Sequence, residues 1–77
     1  MSFRFPAVTA KQVIRVLQGI GFKLVRQAGS SHAIFRREAD NRRTVVPIHA
    51  GTIVKRKTLK SILADANLTV EEFKNLM

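Results

Sequence analysis

The sequence predicts an α+β fold in which helices lie on one face of a three-stranded antiparallel sheet, in the order α-β-β-β-α with a short further helix. Three observations carry this. A helically spaced apolar stripe opens the chain, three short strand-like runs parted by turn residues follow, and helical spacing returns after residue 51. Seventy-seven residues accommodate one domain, spanning 1–77, and no repeat or Pro/Gly linker divides it.

The first helix starts at a T-x-x-Q capping box made by Thr9 and Gln12. Val13, Ile14, Val16, Leu17 and Ile20 form its apolar stripe, and Gly21 suits a left-handed stop just past its end. Phe22–Ala28 and Ser31–Arg37 read as two strands joined by a tight turn at Gly29 and Ser30. Strict alternation sets Arg26 with Phe22 and Leu24 on one face, and Lys23 with Val25 and Gln27 on the other. Asp40 and Asn41 mark the next turn, and Arg43–Ile48 closes the meander. Pro47 donates no ladder hydrogen bond, so the third strand belongs at an edge or Pro47 near its end. Leu59, Ile62, Leu63 and Ala66 restore the helical period, with Asn67 as the stop. Thr69 and Glu72 make a second capping box, opening a last turn or helix that buries Phe73 and Leu76.

Composition excludes several classes. There is no cysteine, hence no disulfide framework and no thiolate metal site. No apolar run approaches the roughly 18 residues of a membrane span, and no signal pattern opens the chain, so a soluble cytoplasmic protein is expected. Of fourteen basic and five acidic residues, residues 1–64 carry a net +11 and residues 65–77 a net −2. A small body so charged repels itself, which makes an anionic partner the leading explanation. Nucleic acid, an acidic protein and a membrane surface all meet that description, and an inert basic surface is the alternative.

Lys55, Arg56, Lys57 and Lys60 crowd the start of the main C-terminal helix, where cations oppose the helix dipole. Phosphate contact accounts for them, as does a solvated face or an acidic protein. Lys23, Arg26, Arg36, Arg37, Arg42 and Arg43 form a second basic set on the sheet. With no Tyr or Trp, and Phe needed in the core, base-stacking platforms are poorly supplied, and backbone-directed RNA binding fits better.

His32 follows Gly29-Ser30-Ser31 at the mouth of the hairpin. If Phe35 faces the helices, His32 faces out with Arg36; the alternation leaves that parity open. An exposed histidine can exchange a proton with a ribose 2′-hydroxyl or a leaving 5′-oxygen, with nearby cations steadying the charge on phosphorus. By itself His32 reads first as an ordinary surface or hydrogen-bonding histidine. His49 either braces its loop or is a second acid/base. Two histidines seventeen positions apart, without clustered carboxylates, do not suggest a metal site, and no cofactor is expected. Ser30 and Ser31 are turn residues or hydroxyl donors to phosphate.

Five segments in order resemble the HicA toxins: Gly21-Phe22, Arg26-Gln27-Ala28-Gly29-Ser30-Ser31-His32-Ala33-Ile34-Phe35, Val46-Pro47-Ile48-His49-Ala50-Gly51, Lys57-Thr58-Leu59-Lys60-Ser61-Ile62-Leu63, and Thr69-Val70-Glu71-Glu72-Phe73. The resemblance covers nearly the whole chain. It implies a double-stranded-RNA-binding-like fold and a small ribonuclease that cuts mRNA without the ribosome, neutralised by a HicB antitoxin. The family's catalytic histidine carries over to His32. The expected activity is metal-independent cleavage with His32 as general acid or base. Arg26, Ser30, Ser31, Arg36, Lys55, Arg56, Lys57 and Lys60 would hold the RNA. The competing expectation is a non-catalytic basic RNA-binding module.

Overall fold

The computed structural model describes residues 5–29, 31–49 and 51–77. Its elements are α1 (Ala10–Gly19), β1 (Lys23–Ala28), β2 (His32–Arg37), β3 (Arg42–Pro47), α2 (Arg56–Asp65) and α3 (Val70–Leu76). The sheet is an antiparallel meander, β1-β2-β3, as the sequence predicts.

Both capping boxes form. The Thr9 hydroxyl accepts from Gln12 N at 3.3 Å while Gln12 Oε1 accepts from Thr9 N at 2.9 Å, and Thr69 with Glu72 repeats the exchange. Both long helices also end alike. Gly21, at φ 99°, lets Phe22 N return to Leu17 O at 2.9 Å; Asn67, at φ 59°, lets Leu68 N return to Leu63 O at 2.9 Å. These left-handed stops satisfy carbonyls that a helix end otherwise leaves open.

Ala33, Phe35, Thr44 and Val46 are buried on the helix side of the sheet, against Val13, Leu17, Leu59 and Ile62. Thr44 is the one buried polar side chain among the described residues, and its hydroxyl donates to Asp65 Oδ2 at 3.0 Å. Phe35 is 2% exposed, which settles the parity: His32, Ile34 and Arg36 line the open face. Pro47 is both on an edge strand and its last residue. Leu76 departs from expectation. Phe73 fills the core below α3 and leaves Leu76 48% exposed at the helix end.

The strand faces also need correction. Leu24 pairs with Phe35 and Arg26 with Ile34, so Val25 is a bulge with no partner. One extra residue inverts the alternation beyond it. Lys23, opposite Arg36, and Arg26, opposite Ile34, therefore share the open face rather than lying on opposite faces. The first hairpin is also longer than a two-residue turn: Ala28 pairs with His32, which leaves residues 29–31 between them.

Arg37 ties the far end of the molecule together. Its Nη1 donates to Ile20 O at 3.2 Å, the C-cap of α1, and its Nη2 reaches Ala66 O at 3.4 Å, the C-cap of α2. The guanidinium stacks over Phe22, 4.7 Å from the ring centroid, and pairs with Asp40 at 2.8 Å. Arg42 Nη1 adds a hydrogen bond to Asp65 O at 3.1 Å.

Replacing Arg37 with Leu is therefore expected to cost about 2–3 kcal/mol, from charged hydrogen bonds and the stacked ring, in urea unfolding. Arg37→Lys should recover little, since one ammonium cannot span both carbonyls and the carboxylate. The Arg37 hydrogen bond also holds the Asp40 carboxyl below its ordinary value of 3.8. A depressed folded value means that Asp40 stabilises above the ordinary one, and that the gain disappears as pH falls through the folded value. Thermal midpoints of wild type and Asp40→Asn should accordingly differ near neutrality and converge as pH falls below the ordinary carboxyl value. A gap surviving in acid would place the stabilisation elsewhere.

Candidate functional site

Several of the candidate residues gather at the end of the molecule opposite Arg37. His32 is the first residue of β2 and is exposed, with Pro47 as its partner on β3 and Ala28 on β1. Ser31 Oγ lies 3.5 Å from His32 Nδ1, the outer limit of a hydrogen bond, and the ring makes no other among the described residues. Ser31 O accepts from Ile48 N at 2.6 Å, which fixes the loop carrying His32 against the segment that leaves β3.

That segment leads into a trough along the free edge of β3. Pro47, His49, Lys55 and Thr58 line its first part, about 220 Å³ in volume. Thr58 continues into the second, about 490 Å³, with Arg43, Lys57 and Ser61. The two share Thr58, so the trough runs from Pro47, the cross-strand partner of His32, down the groove between β3 and α2. Lys55, Lys57 and Arg43 supply positive charge along it, and Thr58 and Ser61 supply hydroxyls. Asp65 closes the far end, its carboxylate already taken by Thr44.

The helix starts lie at this same end. Thr9 and Ala10, which open α1, flank a cleft shared with Ile48 and His49, and Lys55 is the N-cap of α2. A short bridge between Thr9 and Ile53, and Val54 N donating to Val8 O at 2.8 Å, hold the two starts side by side. The positive ends of both helix dipoles thus add to the cations Lys11 and Lys55 at this end of the molecule.

The structure sorts the residues singled out in the sequence. His32, Ser31, His49, Lys55 and Lys57 stand at this end or on the trough; Ser30 lies outside the described residues. Arg26 reaches the open face two pairs along the ladder from His32 because of the bulge. Arg36 is four residues from His32, roughly 13 Å along the strand, and its guanidinium is bound to Asn41 Oδ1 at 2.9 and 2.6 Å. Arg56 sits 5.2 Å over the Phe5 ring, and Lys60 lies off the trough. Arg43 was missing from the expected RNA-contacting set. Its signal was its place on an edge strand beside α2, which only the tertiary fold reveals.

Phe22, Phe35 and Phe73 are fully buried and Phe5 is half-buried, so these aromatics belong to the core and its margin. Among the described residues, no three His, Asp or Glu side chains are grouped as a metal ion would require. None of the described helices is long and apolar enough to cross a membrane.

A family model described as "HicA toxin of bacterial toxin-antitoxin" matches residues 10–68, which includes α1, the whole sheet and α2. No curated protein matches the chain at a significant level.

Proposed function

The chain belongs to the HicA toxin family, the toxin side of a toxin–antitoxin pair, and from that premise we propose that it is a metal-independent endoribonuclease acting on mRNA. His32 is its general acid or base. Residues 1–77 are read as one such domain, working in the cytoplasm, independent of the ribosome and silenced by a HicB-like antitoxin.

The observation that carries this reading is the position of His32: an exposed imidazole on the open face that also bears Arg26, paired across the strands with Pro47, which lines the head of a cationic trough. The trough suits a phosphate backbone, because it pairs lysines and Arg43 with hydroxyl donors. RNA brings its own nucleophile to such a site. An imidazole takes the proton of the 2′-hydroxyl, and the oxygen attacks the adjacent phosphorus. The bond to the 5′-oxygen breaks and that oxygen receives a proton. The products are a 2′,3′-cyclic phosphate and a 5′-hydroxyl. His32, paired across the strands with Pro47, and His49, two residues beyond Pro47, are the two candidate proton carriers, and Lys55 and Arg26 are the cations assigned to the charge that develops on phosphorus.

Purified protein in excess EDTA is expected to cut RNA, and His32→Ala to lower the rate by about 10²–10⁴-fold, the usual worth of a positioned acid or base. RNA retention by the variant should hold. Equal cutting by both proteins would remove His32 from the chemistry; binding without turnover in either would favour a non-catalytic RNA-binding module. Deoxyribose at the cut position should abolish cleavage.

Salt dependence tests the trough. Lys57→Gln and Arg43→Gln are each expected to flatten the slope of log affinity against log salt by about 0.7 for single-stranded RNA. Lys60→Gln, off the trough, should change it less. Equal effects at all three positions would mean that the whole basic surface, and not the trough, meets the phosphates.

A further inference from the structure

We propose that the cleft between the start of α1 and the segment leaving β3 receives the base beside the scissile bond and sets the cut-site preference. The inference rests on the endoribonuclease reading above and adds a recognition subsite to it.

The cleft holds about 390 Å³, within the roughly 300–1,000 Å³ usual for small-molecule sites. Ala10, Ile14 and Ile48 form its walls, with Thr9, Lys11 and His49 at the rim. Ile14 and Ile48 are only half-buried, so their side chains remain open to a visitor. The cleft is coupled to the reacting centre through the backbone: Ile48 N is bonded to Ser31 O, and Ser31 adjoins His32. His49 lines this cleft and the trough alike, and so stands as the wall between them.

The two depressions differ in chemistry. The trough is cationic and hydroxyl-lined, suited to phosphates. The cleft is walled by aliphatic carbon, which desolvates a flat base and repels a phosphate. No carboxylate lines it, and both ionisable groups at its rim are basic or neutral. A strand whose phosphates follow the trough past His49 therefore has one place at hand for a base turned out of the stack. The Thr9 hydroxyl is engaged in the capping box, which leaves Lys11 and His49 to read the base edge. Lys11 only donates, so it favours an edge rich in acceptors.

The test is cleavage of a random-sequence RNA pool, with the new 5′-hydroxyl ends sequenced for wild type and Ile14→Phe, a substitution that fills the cleft. Wild type should favour one base at a fixed position next to the cut by about tenfold. With Ile14→Phe added until total cutting matches, that preference should fall below about twofold. If far-UV circular dichroism finds Ile14→Phe unfolded, Lys11→Ala on the exposed rim takes its place, with a loss of preference of at least about threefold. An active wild type without base preference, or a preference unchanged in the folded variant, overturns the cleft assignment alone. A wild type inert toward the pool overturns the endoribonuclease reading along with it. An unchanged cut pattern with lost antitoxin binding would assign the cleft to the protein partner and overturn the base subsite.

Discussion

A single guanidinium sets the polarity of this molecule. Arg37 donates to the C-cap carbonyls of α1 and α2 at Ile20 and Ala66, the two points where the negative ends of the helix dipoles are most exposed. Both helices are thereby fixed with their carboxyl ends on one side of the sheet. Their amino ends then have to lie on the other, beside Pro47 and His32. The same side chain stacks on Phe22, the residue that turns α1 into β1. Gly21 is needed for this arrangement on two counts: its positive φ closes the helix, and a Cβ there would approach Arg37 Cδ to 3.3 Å. The positive end that gathers around His32 is the consequence of a negative end neutralised elsewhere.

Most of the fold was legible because its signals are local. A capping box needs two residues three apart, and a left-handed stop needs Gly or Asn at one position; Thr9, Gln12, Gly21, Thr69 and Glu72 all behave as written. Failure begins where a choice is tertiary. Nothing in Lys23–Ala28 announces that Val25 will bulge, because a bulge is a property of the pairing with β2 and not of β1. That one residue moved Arg26 onto the face of His32. Parity was likewise undecided until the core claimed Phe35. Leu76 illustrates the opposite limit, since helical spacing marks a residue as able to face the core without supplying a core to face.

The candidate site was half legible for the same reason. His32 was visible through its motif. The basic cluster at the start of α2 was visible as a cluster, but a run of cations on a helix points in several directions. Lys57 faces β3, Arg56 turns to Phe5, and Lys60 faces neither. Arg43 shows the converse: an arginine noted only as one of the sheet's basic set gains its meaning from Lys57 across the groove. Sequence composition records how much charge there is; the sheet edge decides which charges act together.

The open face adds a further constraint. Lys23, Arg26, Arg36 and Arg43 stand on it with no carboxylate among their paired neighbours, around the aliphatic residues Ile34 and Val45. Arg36 settles for the neutral oxygen of Asn41, so its charge is directed without being cancelled. By contrast, Arg37 and Arg42, on the helix side, share Asp40 and the helix carbonyls. Among the described residues the ion pairs thus fall to Asp40, on the side where cations brace the fold, and none falls to the cations of the open face. Self-repulsion on the open side is the cost of that division, and it is tolerable because the core is built on the opposite face. A surface left uncompensated in this way is matched to an anionic partner that arrives and leaves, while the frame that presents it stays neutralised and fixed.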